Sequence, residues 1–253
     1  MVTRVKTASE IEAMRESGRM LATVLAFVTP HVQPGLSTKK LAQLAGEELQ
    51  KLGGAPAFLG YQGFPDVICI SVNDEVVHGI PRADKIINDG DIVSLDFGVT
   101  YRGMITDSAI SVIAGRPKQK RHIELVKNTA AALQIGIHSL HDQVRTGDIG
   151  AAIEVYLKKH RYGIVRDLVG HGVGHELHED PNIPNYGRPN TGPWLSAGMT
   201  IAIEPMVTLG GNRVYTADDG WTILTADGAW AAHFEHTVLI TEDGAEILTT
   251  VSD

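Results

Sequence analysis

Apolar positions from Thr7 to Val28 recur at helical intervals: Ile11, Met14, Met20, Leu21, Val24 and Leu25 share one stripe. Thr7 and Glu10 stand at capping-box spacing in front of it, so a first helix is expected here. In "HVQPGLSTKKLAQLAGEELQKLG" a Pro-Gly break precedes a second helix, stopped at Gly53-Gly54. A third helix fits "RHIELVKNTAAALQIGIHSL", and a fourth fits "DIGAAIEVYLKKHRYG" with Thr146 or Asp148 as its cap. Between them the period changes. "DVICISVN", "DIVSLDFGVTYRGMITDSAISVI", "TIAIEPMVTL" and "WTILTADGAWAAHFEHTVLIT" are rich in β-branched residues and punctuated by turns, which predicts antiparallel pairs and hairpins. The order is helix pair, strands, helix pair, strands. It suggests two related halves meeting in one sheet, within a single α+β domain spanning residues 1–253.

Composition narrows the classes. Of 253 residues 43% are apolar and 21% charged, ordinary values for a globular protein. The net charge of −8 argues against a broad nucleic-acid footprint, which needs clustered Lys and Arg. The densest basic run, "RPKQKRH" from Arg116 to His122, is short and reads as a solvated loop. Cys69 is the only cysteine, so neither an intrachain disulfide nor a thiolate zinc site can form. No run is long and apolar enough to span a bilayer, and the first residues lack a secretory-type apolar core. A reducing, cytoplasmic setting is the expectation.

The acids are the anomaly. A hairpin turn around Tyr101, Arg102 and Gly103 would bring Asp96 and Asp107 together. A two-residue loop at Tyr101-Arg102 places them directly opposite, and a longer loop offsets them by one position. Leu95 and Phe97 then pack on the other face. Either Asp alone reads as an exposed strand acid. Two facing carboxylates in apolar strands require a cation or a shared proton. Glu204 in "MTIAIEPM" and Glu235 in "AAHFEHTVLI" repeat the oddity, with Arg213 as a candidate mate if they form a plain salt bridge. A shared metal centre accounts for all four more economically than four separate explanations.

"GHGVGHELHEDP" supplies the nitrogen. His175 and His178 are three apart, so the His-Glu-x-x-His helix motif of zinc proteases is absent. Gly172 and Gly174 make a helix through His171 improbable. An extended, Gly-bent segment instead projects His171 and His178 to different places. One imidazole with four carboxylates is an oxygen-rich set suited to Mn²⁺, Fe²⁺ or Co²⁺, and able to hold Zn²⁺. Carboxylates bridging two ions ~3.5–4 Å apart form the usual hydrolytic arrangement.

Asp96, Asp107, His171, Glu204 and Glu235 occur in the order and surroundings of the ligands of type I methionine aminopeptidases. "GYQGFPDVICISVNDEVVHGIP", "DIVSLDFG", "MITDSA", "IEPM" and "FEHTVLIT" extend the resemblance over nearly the whole chain. The resemblance implies the pita-bread fold, a pseudo-symmetric antiparallel sheet flanked by two helix pairs. It also implies a metal-dependent aminopeptidase removing the initiator methionine from nascent polypeptide N-termini with a small second residue. Those five residues would hold two divalent ions (Co, Mn, Fe, Zn or Ni), Asp107 and Glu235 bridging both. Glu204 would handle the nucleophile's proton, while His178 and His78 would contact the scissile carbonyl and amide. His175 would support the turn, and His233 and His236 would flank a ligand but need not touch metal.

Phe58, Tyr61, Phe64, Cys69, Leu177 and Trp221 would form the methionine pocket; Phe58 stands where relatives have a smaller residue, Leu177 where they have an aromatic one. The resemblance further implies a monovalent-cation site (Na or K) near Asn73, Glu75 and Ala231, with Glu75 and Ala231 departing from commoner residues. A monomer is the default, with the ribosome exit region as a candidate partner, and no membrane or specific nucleic acid. Two competing readings are a related protein that lost its metals and kept a binding role, and a hydrolase of X-Pro bonds. All five ligand positions are filled, against the first. Chain length and the apolar pocket residues disfavour the second.

Overall fold

The computed structural model describes residues 3–251. Four helices form where the apolar stripes place them: α1 (Ala8–Val28), α2 (Thr38–Leu52), α3 (Lys120–His138) and α4 (Thr146–Lys159). The capping box closes as expected, Thr7 Oγ1 accepting the Glu10 N–H while the Glu10 carboxylate accepts the Thr7 N–H. Helix α2 starts on Ser37, whose hydroxyl accepts the Lys40 N–H, and stops at Gly53 with φ of 80°. The α4 cap differs from expectation. Arg145 occupies the cap position, and Asp148 acts from inside the helix, its carboxylate accepting the Arg145 N–H at 3.1 Å.

Nine strands make the main sheet: β1 (Ala55–Pro56), β2 (Cys69–Val72), β3 (Ile92–Tyr101), β4 (Met104–Ile113), β5 (Gly170–Gly172), β6 (Glu179–Ile183), β7 (Thr200–Ile203), β8 (Glu235–Ile240) and β9 (Ala245–Ile247). They run β1-β3-β4-β8-β7-β5-β6, with β2 added on β3 and β9 on β8. Every pairing is antiparallel. The β3–β4 hairpin of the first half meets the β7–β8 pair of the second across one seam, where Glu235 faces Ala109 and His236 faces Ser108.

Alternation gives the sheet two unlike faces. Val93, Leu95, Phe97 and Val99 of β3 pack with Leu21, Val24, Leu41 and Leu49 of α1 and α2. Ile201, Ile203, Val238 and Ile240 pack with Leu125, Leu133, Ile149 and Ile153 of α3 and α4. On the other face Gly98, Ala109 and Ala202 stand beside Asp96, Asp107 and Glu235.

The hairpin register corrects the sequence reading. Tyr101 pairs with Met104, so the loop is Arg102-Gly103, both at positive φ (48° and 78°). This is the backbone of the two-residue turn that matches strand twist, and Gly at its second position meets that demand most cheaply. Asp96 therefore pairs with Ala109 and Asp107 with Gly98. The two acids share a face but lie diagonally, rather than opposite or one position apart.

At the seam Thr237 replaces ladder bonds with its hydroxyl. Its Oγ1 accepts the Asp107 N–H at 2.9 Å and donates to the Asp107 carbonyl at 2.8 Å. The near-isosteric Thr237→Val substitution strips both partners from a buried strand. Urea unfolding should show a loss of about 2 kcal/mol or more. A loss below ~0.5 kcal/mol would mean that the hydroxyl does not hold the seam.

Candidate metal centre and active site

Register alone gathers the acids. Across the sheet, Cys69 faces Asp96, Asp96 faces Ala109, and Ala109 faces Glu235. Ile203 faces His236, so Glu204, one residue further, comes opposite Glu235. Two residues along, Gly98 faces Asp107, Asp107 is bonded to Thr237, Thr237 faces Ala202, and Ala202 faces His171. The five candidate ligands thus occupy two adjacent rows on one face. Between them stand Gly98, Ala109 and Ala202, which leave the space above the sheet open.

Ligand atoms of Asp107, His171 and Glu235 lie within 4.8 Å of one another, all three residues buried. His171 Nε2 is 3.5 Å from Glu204 Oε1. Asp96 Oδ1, Asp107 Oδ1 and Glu235 Oε1 are buried without a hydrogen-bond partner. Burial, and then the other acids, push the carboxyls of Asp107, Glu204 and Glu235 well above the usual range, and burial raises Asp96 to about 7. Orphaned carboxylate oxygens converging beside an imidazole fit a divalent cation.

The histidines are tuned the other way. Burial first, then the neighbouring His178, lowers His171 to about 3. Its Nδ1 lies 2.9 Å from the Gly172 carbonyl, an acceptor only, so Nδ1 carries the proton and the Nε2 lone pair faces the acids. That is the tautomer a ligating imidazole needs. Burial lowers His78 to about 4 and also lowers His178. His78 has φ of 59°, left-handed for a non-glycine residue, and its ring meets Trp221 edge-on at 6.4 Å. His178 Nδ1 is 2.8 Å from the Tyr61 hydroxyl. The bend does not keep His171 and His178 apart: their rings meet with centroids 4.3 Å apart.

All thirteen residues expected to be metal ligands, catalytic groups or pocket walls line one cavity of about 200 Å³. Besides the candidate ligands, His78 and His178, its walls are Phe58, Tyr61, Phe64, Cys69, Leu177 and Trp221. Phe58, Phe64, Cys69 and Leu177 form one buried cluster, with Trp221 packed against it. Phe58 fits because of Gly98, where a Cβ would fall 2.6 Å from its ring. Gln62, Leu168 and Val169 also line the cavity and escaped sequence reasoning.

His233 flanks the centre. Its Nε2 lies 3.7 Å from Glu204 and 3.9 Å from Glu235, and neither ring nitrogen has a hydrogen-bond partner. Imidazoles, and not Arg213, stand within ion-pair distance of the two glutamates. Near Asn73, its carbonyl accepts the Ala231 N–H at 2.7 Å, while Glu75 accepts the Val72 N–H and pairs with Lys85.

An acidic, imidazole-bearing centre that fits a divalent cation and opens into an apolar-walled cavity, on a pseudo-symmetric antiparallel sheet, suits a metal-dependent hydrolase. Residues 12–242 match metallopeptidase family M24, and the chain belongs to that family. It is 45% identical over 246 residues to methionine aminopeptidase 1 of Bacillus subtilis, covering 97% of this chain and 98% of that one. The crystal structure of a methionine aminopeptidase from Thermotoga maritima superimposes with a TM-score of 0.97 at 47% identity, over 98% of this chain and all (100%) of that one. A prolidase from Pyrococcus furiosus, at 24% identity and a TM-score of 0.78 over 98% of this chain and 66% of its own, shares the fold. The fold is the pita-bread fold.

The opposed shifts fix a pH dependence for the metal-free protein. Unfolded imidazoles titrate near ~6.5 and unfolded carboxyls near ~4. Between those values the lowered histidines make stability rise with pH, while the raised carboxyls make it fall. Above ~6.5 only the carboxyls act: the native state holds protons that the unfolded chain has lost, so stability drops as pH rises through about 7, the Asp96 value. The Tm of metal-depleted protein should therefore decline from about pH 6.5 to 8.5, and Mn²⁺ should abolish the decline. A flat or rising Tm without metal would contradict the mutual burial of these acids.

Proposed function

We infer that this chain is a metal-dependent aminopeptidase that removes the N-terminal methionine from polypeptides. The observation that carries the reading is the juxtaposition, in one cavity, of the acid-imidazole centre with an apolar pocket of side-chain size. Asp96, Asp107, His171, Glu204 and Glu235 would hold the ions. Bound divalent metal supplies Lewis acidity and brings the pKa of water toward neutrality. Around it, Glu204 takes the proton of the attacking water. His178, held by Tyr61, donates to the oxygen of the scissile carbonyl as charge develops there. His78 contacts the scissile amide and assists protonation of the leaving nitrogen. Phe58, Phe64, Cys69, Leu177 and Trp221 enclose the thioether side chain, with Tyr61 at the edge.

A bulky second residue would crowd the cavity's exit, so substrates are nascent chains with a small residue after methionine. The oxygen-rich ligand set suits Mn²⁺, Fe²⁺ or Co²⁺, and Zn²⁺ and Ni²⁺ also fit. No helix among the described residues is long and apolar enough to cross a membrane. We place the enzyme in the cytoplasm as a monomer, meeting its substrates near the ribosome exit. A Na or K site near Asn73 belongs to the same reading.

Metal-depleted protein given Mn²⁺, Fe²⁺, Co²⁺ or Zn²⁺ in turn should release methionine from Met-Ala-Ser, and far less from Met-Leu-Ser or Leu-Ala-Ser. No release with any ion would overturn the assignment, and cleavage of Ala-Pro-Ser alone would favour an X-Pro hydrolase. In the same assay His171→Ala should lose bound metal, whereas His178→Ala should keep metal and lose about a hundredfold in kcat. Equal metal loss in both variants would show that the two histidines do not divide these roles.

A further inference from the structure

The turn Val173–His178, between β5 and β6, delivers His178 to the cavity, yet it is fixed by residues that do not line the cavity. The Glu179 carboxylate accepts the backbone N–H groups of His175 at 2.7 Å and Glu176 at 3.1 Å. Its other oxygen lies 3.1 Å from Lys6 Nζ, and both side chains are almost fully buried, at 0% and 1% exposure. Lys6 Nζ also donates to Thr3 Oγ1 at 3.0 Å, and the Lys6 stem lies against Gly174, where a Cβ would fall 2.5 Å from Cε. The Lys6 N–H donates to the Gly198 carbonyl at 2.8 Å, so this segment is itself held on the domain.

A second anchor comes from the start of α1. His175 Nε2 is 2.7 Å from Glu10 Oε1, while Glu10 Oε2 accepts the Thr7 N–H at 2.7 Å. One carboxylate thus closes the helix cap with one oxygen and holds the turn's imidazole with the other. The His175 bond first, and then the Thr7 N–H, hold the Glu10 carboxyl down at about 2. The acceptor is therefore ionised throughout the neutral range.

We propose that Glu10 is a positioning residue: through His175 it clamps the Val173–His178 turn to the rigid start of α1 and so sets the place of His178 in the cavity. The Lys6–Glu179 pair anchors the same turn from within. The inference rests on the reading of His178 given above. A side chain that acts on the developing oxyanion must be held to a fraction of an ångström, and a turn with a glycine at φ of 145° cannot supply that rigidity alone. The consequence is that the segment before and into α1, remote in sequence from every candidate ligand, governs turnover.

Three variants separate positioning from a general loss of stability. Glu10→Ala removes both the capping box and the His175 partner. Thr7→Ala removes the hydroxyl half of the box, which accepts the Glu10 N–H and donates to the Glu10 carboxylate, but leaves the Thr7 N–H bond to that carboxylate and the Glu10–His175 contact. Glu10→Gln keeps an acceptor oxygen for His175. On Met-Ala-Ser at saturating Mn²⁺, Glu10→Ala should lose about tenfold in kcat with KM and bound metal unchanged. Thr7→Ala should lower Tm by a similar amount yet keep kcat within about twofold, and Glu10→Gln should recover most of the loss. Equal kcat in Glu10→Ala and Thr7→Ala would overturn the clamp, as would wild-type kcat in Glu10→Ala while His178→Ala is impaired. A fully active His178→Ala would instead remove the role of His178 and the clamp with it.

Discussion

Four carboxylates are drawn together by strand register into a space from which water is largely excluded, and their mutual repulsion is the constraint around which the molecule is arranged. Leaving such a group ionised and unpaired in an apolar interior is among the costliest things a fold can do. Without a cation these acids hold protons well above their ordinary pKa, with three oxygens orphaned. The surroundings are arranged for a cation. His171 is kept neutral with Nε2 turned inward. Gly98, Ala109 and Ala202 clear the face, and no Lys or Arg neutralises the cluster from within ion-pair distance among the described residues.

Parts of this were legible in the chain because they are decided locally. The capping box at Thr7 and Glu10, the stop at Gly53 and the polar-apolar alternation of β3 depend on neighbours a few residues away, and all three appear as read. The hairpin failed by one loop position because the number of apolar residues on each side does not choose between Tyr101-Arg102 and Arg102-Gly103. The positive φ demanded at both turn positions does. Asp148 was visible as a capping residue, but whether it caps from the first or the third position depends on where the helix bonds begin. His233 stands two residues from Glu235, but its approach to Glu204 carried no local signal, since it follows from the pairing of Met206 with His233. The same holds for the contact between His171 and His178, which a bend was expected to separate.

Phe58 and Leu177 belong to the same buried cluster, so the volume of each sets the space left to the other. Gly98 lets the Phe58 ring lie against the backbone of β3, one row from Asp96. The apolar wall of the cavity and the acid centre therefore meet at β3, although the wall residues come from other segments.

Acids gathered in this way should share cations, and anomalous diffraction from crystals grown with Mn²⁺ would reveal them. Two strong peaks separated by ~3.5–4 Å, enclosed by Asp96, Asp107, His171, Glu204 and Glu235, are expected. Crystals that diffract well and show no manganese among these five side chains, or manganese bound elsewhere while the acids stay protonated, would contradict this expectation.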